Sequence, residues 1–134
     1  MSRRVFTDAE YRYLAARQQA RMVSIGPGDA PQIHPVSYRI DAEGGWVEVA
    51  GPRLRDSQKY RNIRRDPRVT LVVDDQSSGV HSSAPSRVGI EIHGMADLFE
   101  RPVPGEGTDI IRIRPVRIDS WNLERPGHEC RFVT

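Results

Sequence analysis

One cysteine, Cys130, occurs in the 134 residues. That excludes a disulfide within the chain and fits a reducing, cytoplasmic setting. Neither Cys130 nor His81, His93 and His128 stand at the spacing of a metal site, so no metal is expected. No apolar run approaches the ~20 residues needed to cross a bilayer. No signal-peptide pattern opens the chain, so a soluble protein without a membrane partner is expected. A nucleophile elbow, a Walker loop, a dinucleotide fingerprint and a pair of catalytic carboxylates are all missing. Neither sign of charge dominates: 20 Lys and Arg against 18 Asp and Glu leave a formal +2. A nucleic-acid wrapper spreads positive charge over a whole face, so the basic residues here form a local feature. Lysine is almost absent, Lys59 being the single one.

The basic residues concentrate between Gly51 and Asp75. The first two thirds of that stretch carry Arg53, Arg55, Lys59, Arg61, Arg64, Arg65 and Arg68 against Asp56 and Asp66, and its apolar last third ends on Asp74 and Asp75. Asp56 or Ser57 caps a helix start, and Asp66-Pro67 stops the helix because proline drives its predecessor out of helical geometry. The result is a short basic helix whose first-turn amides and converging cations suit an anion, phosphate above all. Lys59 and Asn62, three apart, share one face, while Tyr60 and Ile63 hold another against the body. A merely solvated helix face is the alternative that composition leaves equally open. A nucleic-acid patch would need exposed aromatics among the cations, and Tyr60 is alone there. The second candidate is Ile33-His34-Pro35-Val36-Ser37, where a strand-breaking proline leaves backbone groups to meet a planar ring edge and Ser37 adds a hydroxyl. A plain bulged strand is its bland counterpart. Trp121 can cover a flat ligand or plug a subunit seam.

A single domain, 1–134, is expected, with 1–5 and 125–134 as loose tails; its core is large enough to fold but apt to be helped by a partner chain. Thr7 and Glu10 have capping-box spacing and open a helix to about Gln19, with Tyr11, Leu14 and Ala15 on its buried face. Strands follow over Arg21 to Ile25, Ile33 to Ile40 (kinked or unpaired at Pro35) and Trp46 to Ala50. After the basic helix come Val69 to Asp74, Arg87 to Leu98 and Ile110 to Ile118, the last interrupted by Pro115. Gln76 to Ser86 and Pro102 to Thr108 read as loops. In the fifth strand Val88, Ile90, Ile92, Ala96 and Leu98 alternate with polar residues, and Gly94 marks a bulge or close approach. Six mainly antiparallel strands with an N-terminal helix and a short basic helix between strands three and four make a mainly β, closed or nearly closed barrel.

With these pieces assembled, the chain resembles the pyridoxamine 5'-phosphate oxidase-like split-barrel family, in its F420-dependent branch. The resemblance rests chiefly on Ser57-Gln58-Lys59-Tyr60-Arg61-Asn62 followed by Asp66-Pro67-Arg68-Val69. It is supported by Ala20 to Ile25, Pro31 to Val36, Val73-Asp74-Asp75, Gly89 to Ala96, Ile111 to Pro115 and Ser120-Trp121. It implies a homodimer of split barrels with cofactor sites at the subunit seam. It further implies that Arg53, Ser57, Lys59 and Asn62, with Arg55 and Arg61 nearby, hold the cofactor's phosphate and acidic tail. His34, Pro35, Val36 and Ser37 would lie along its ring, and Arg87 and Trp121 would close the site from the partner chain. The implied activity is hydride transfer from F420 to a small planar unsaturated substrate. An FMN oxidoreductase of the same fold, a non-catalytic F420 or flavin carrier, and a nucleic-acid-binding module are the alternatives.

Overall fold

The protein was analysed as a computed structural model, which describes residues 5–76, 87–105 and 107–133. Most of the expected loop from Gln76 to Ser86 therefore lies outside the described residues. Helix α1, Asp8–Ala15, opens with the predicted capping box: Thr7 Oγ accepts from the Glu10 amide while Glu10 accepts from the Thr7 amide. It is shorter than expected, since β1 already begins at Gln19. Its buried face is also different. Phe6, Glu10, Tyr13 and Leu14 turn inward while Tyr11 and Ala15 are exposed, because the Glu10 carboxylate is neutralised there by Arg131.

The strands are β1 (Gln19–Ile25), β2 (Pro31–Asp41), β3 (Trp46–Ala50), β4 (Arg68–Gln76), β5 (Arg87–Val103), β6 (Gly107–Trp121) and β7 (His128–Phe132). They pair antiparallel in the order β3-β2-β1-β4-β5-β6-β7, and β3 also pairs with β6. Six strands thus close a ring, with β7 added outside it. The ring holds an apolar interior that includes Met22, Val47, Leu71, Ile92, Ile111 and Ile113, each fully buried. Helix α2, Gln58–Arg65, sets Tyr60 and Ile63 into this interior as anticipated. No helix among the described residues is long and apolar enough to cross a membrane.

Three expectations change. Pro35 neither kinks β2 nor lacks a partner, for it sits in register opposite Arg21. The Tyr38 amide donates to the Gln18 carbonyl at 3.0 Å, so the even-numbered amides of β2 point toward β1 and the odd ones away. The nitrogen of Pro35 therefore faces the edge where β3, which pairs only with Tyr38 to Asp41, does not reach, and the missing N–H costs no ladder bond. Pro115 likewise falls within a continuous β6, opposite Gly94 and beside the register shift at His93/Gly94. There the expected close approach is real, since a Cβ on Gly94 would lie 2.4 Å from the Arg114 carbonyl oxygen. Finally, part of the supposed loose tail is β7, which pairs with Arg117 to Trp121 and covers an edge of β6 that would otherwise stand open.

Candidate functional site

Alternation along β2 divides the second candidate motif between two faces. Val36 and Tyr38 are buried, whereas Ile33, Pro35 and Ser37 are exposed on the outer face of the sheet. On that face a groove of about 360 Å³ runs over Pro35, Val36 and Ser37 of β2, Gln19 and Arg21 of β1, and Val72 and Asp74 of β4. Arg21 reaches both oxygens of Asp74 at 2.9 Å and so neutralises the groove's one acidic wall. A second recess, about 170 Å³, shares Val72 and Asp74 with it and is lined by Arg87, Gly89, Glu91 and Trp121. The Trp121 ring is braced by His128, stacked at 4.9 Å and 23°. Pro35, Val36, Ser37, Arg87 and Trp121 are thus brought to two adjoining hollows of the same chain.

The basic helix starts and stops as expected, at Ser57 and Asp66, but several of its side chains are placed differently. Ser57 is the N-cap: its hydroxyl accepts from the Tyr60 amide at 3.3 Å and donates to the Leu54 carbonyl at 2.6 Å. Arg53 has a left-handed backbone (φ 60°) and an exposed side chain, 3.7 Å from Asp56. Arg55 is not turned to the helix start; it pairs with Glu100 at 2.5 Å and Asp109 at 2.7 Å on the β5–β6 hairpin. Arg61 donates to the Asp56 carbonyl and to Gln58, both at 2.9 Å. Asn62 is fully buried. Its amide nitrogen donates to Ser24 Oγ at 3.0 Å and Gln32 Oε1 at 2.8 Å, and its oxygen accepts from Gln58 at 2.7 Å. Both amide hydrogens are taken and the side chain is fully buried, so Asn62 locks α2 onto β1 and β2 and is not open to a ligand.

Lys59 stands apart. It is half-buried, and among the described residues it makes no ion pair. Burial, and after it the Lys59 charge, holds the His34 imidazole below its ordinary pKa. The Nε2 atom of His34 is buried without a hydrogen-bond partner. An uncompensated ammonium beside an orphaned ring nitrogen fits an anionic oxygen, which would satisfy both. Lys59 with His34 is thus a candidate place for a phosphate; His34 has the parity of the buried Val36 and Tyr38, so it lies on the opposite face of β2 from Pro35, Ser37 and the groove.

Sequence reasoning missed Arg21, Val72, Asp74 and Glu91, all part of the two hollows. Their outward placement follows from strict alternation in β1, β4 and β5, but that these strands are neighbours follows only from the sheet order.

The sequence profile of the pyridoxamine 5'-phosphate oxidase family matches residues 6–122. A 5a,11a-dehydrotetracycline/5a,11a-dehydrooxytetracycline reductase of Streptomyces rimosus is 36% identical over 126 residues, covering 89% of this chain and 84% of that protein. Among solved structures, a conserved hypothetical protein of Mycobacterium tuberculosis superposes with a TM-score of 0.70 at 19% identity, over 92% of this chain and 89% of the other. An F420 reductase superposes with a TM-score of 0.62, also at 19% identity, over 84% of this chain and 98% of the other.

Proposed function

The chain belongs to the pyridoxamine 5'-phosphate oxidase family, and from that premise we propose that it is an oxidoreductase built around a flavin-type cofactor. The favoured cofactor is F420, with FMN second, and the substrate is small, planar and unsaturated. The reductase relative at 36% identity supports reduction as the direction of the chemistry. The observation that carries the reading is Lys59: the only lysine in the chain, half-buried, without a carboxylate partner among the described residues, and close enough for its charge to act on the His34 imidazole, whose Nε2 is orphaned.

A bound deazaflavin or flavin supplies the hydride chemistry itself, so the protein's work is to bind, orient and exclude water. Lys59 and His34 take the phosphate. The exposed Arg53 and Arg61 form a cationic rim that suits the polyanionic tail of F420 better than the single phosphate of FMN. Ser57 fixes the first turn of α2, and Asn62 fixes the helix to the barrel, so both position Lys59. Pro35 offers the ring a flat surface with no amide hydrogen to satisfy, and Ser37 adds a hydroxyl donor. Arg87 and Trp121 bound the adjoining recess on the substrate side. Arg55, held by two carboxylates, has no part in this.

The working unit in this proposal is a homodimer. Ile33 is 65% exposed, Phe132 68% and Val116 46%, and a shallow hollow of about 320 Å³ lined largely by Val23, Ile25, Met95 and Val116 lies on the same outer face. Apolar surface of that extent beside the groove is suited to burial against a second copy.

Turnover tests the reading. Purified protein supplied with reduced F420 should oxidise it when offered a panel of enones and quinones, and reduced FMN should serve less well. Tight cofactor binding with no oxidation across the panel would make the protein a carrier. An oligonucleotide complex with steep salt dependence, and no cofactor binding, would favour the nucleic-acid alternative.

A further inference from the structure

The sheet register gathers chemistry-bearing residues to which the proposed function gives no role, between the recess beside Trp121 and the hollow beside Val116. Glu91 and His93 are two apart on β5 and so face the same way. Glu91 lies opposite Asp119 of β6, and Asp119 opposite Cys130 of β7. His93 Nε2 lies 3.2 Å from Glu91 Oε1 and 3.3 Å from Asp119 Oδ2. Oxygen and nitrogen ligands bound tetrahedrally at zinc distances stand about 3.3–3.5 Å from one another. Two of the three edges of such a ligand set are thus already in place on hydrogen-bonded strands.

The surroundings support the same assignment. Thr70 Oγ lies 3.0 Å from His93 Nδ1. With the hydroxyl oxygen accepting from Nδ1–H, the bare Nε2 lone pair faces the two carboxylates, the orientation an outer partner gives a metal-bound histidine. Asp119 is 2% exposed, and its Oδ2 is buried without a hydrogen-bond partner. Its other oxygen is occupied, by His128 Nε2 at 2.7 Å and the Arg117 guanidinium at 3.1 Å. One half of a buried carboxylate is therefore saturated and the other points into the cluster. The one feature opposing a cation is Arg117, whose Nε lies 2.9 Å from Oδ2 outside hydrogen-bond alignment. Its side chain is 44% exposed, so the guanidinium can move into water.

We propose that Glu91, His93 and Asp119 form a binding site for one divalent transition-metal ion of the Zn²⁺ class, with Thr70 and His128 as outer supports and Arg117 as the group displaced. A single imidazole with two carboxylates suits such ions and leaves coordination positions open. Glu91 also lines the recess beside Trp121, so a filled site adjoins the groove without depending on what the groove holds.

The full-length chain, stripped with a chelator and then titrated with Zn²⁺ by calorimetry and with Co²⁺ by visible absorption, tests this. One ion per chain is expected, with Co²⁺ bands of four- or five-coordinate intensity. Saturable binding should vanish in His93→Gln and Glu91→Gln, strengthen in Arg117→Ala, and weaken about 10–100-fold in His128→Ala. Cys130→Ser should bind as the parent does. Circular dichroism on each variant separates loss of the site from loss of the fold. No saturable uptake by either the parent or a folded Arg117→Ala variant overturns the proposal, and so does uptake that survives His93→Gln.

Discussion

Lys59 is half-buried and makes no ion pair among the described residues, unlike Arg55 and Arg68 beside it. Arg55 is paired with Glu100 and Asp109, and Arg68 with Asp66. Lys59→Ala should therefore weaken cofactor binding by roughly 1.5–3 kcal/mol, the worth of a charge-assisted hydrogen bond, while the urea midpoint barely moves. Equal losses of binding and stability would mark it as a structural lysine. His34 gives a pH prediction. Burial first, and then Lys59, hold its pKa below about 6.5, so on acidification the unfolded chain takes up a proton before the folded one. The stabilising contribution is complete above about pH 6.5 and declines as pH falls below it. Urea midpoints at pH 7.5 and 5.5 should fall further apart in the parent than in His34→Gln. Lys59 drew notice in the sequence because a solitary lysine stands out in an arginine-rich chain. The roles of Arg55 and Asn62 were not, because each is decided by a partner more than thirty residues away.

At the scale of the element, α2 is held by side-chain bonds as well as by Tyr60 and Ile63. Asn62→Ala would leave Ser24 and Gln32 facing a void without their donor, at a cost of about 1–3 kcal/mol. Thermal unfolding should show that loss, with cofactor affinity falling because Lys59 is no longer positioned. An unchanged melting temperature would contradict the account of Asn62 as the lock. The bulge at Gly94 was readable, since a glycine inside an alternating run signals missing space for a side chain. The regularity of β2 at Pro35 was not, because it depends on which edge of the strand lacks a neighbour. Strand β7 was hidden for a related reason: in His128–Phe132 only Cys130 and Phe132 alternate with charged residues, too short a signal to stand alone, and the strand's place is set by the exposed edge of β6. The cluster of Glu91, His93 and Asp119 escaped the sequence in the same way, since its residues become neighbours only across the β5–β6 ladder.

For the whole molecule, ring closure between β3 and β6 leaves the interior complete, and the groove lies on the outside of the sheet. The outer face carries both the groove and the exposed Ile33, Val116 and Phe132, so assembly and cofactor binding are coupled in this account. Sedimentation should give twice the chain mass, and Ile33→Glu combined with Val116→Glu should yield monomers that bind cofactor poorly; a parent that sediments as a monomer would remove the partner from the proposal. The central claim is that the start of β2 and the start of α2 grip the anionic part of a flat redox cofactor. Its most direct test is a fluorescence titration of the parent and Lys59→Ala with F420 and, separately, FMN. The account predicts saturable binding of both to the parent, F420 the tighter, with F420 weakened in the variant; no binding of either to the parent, or identical F420 curves for the two proteins, would contradict it.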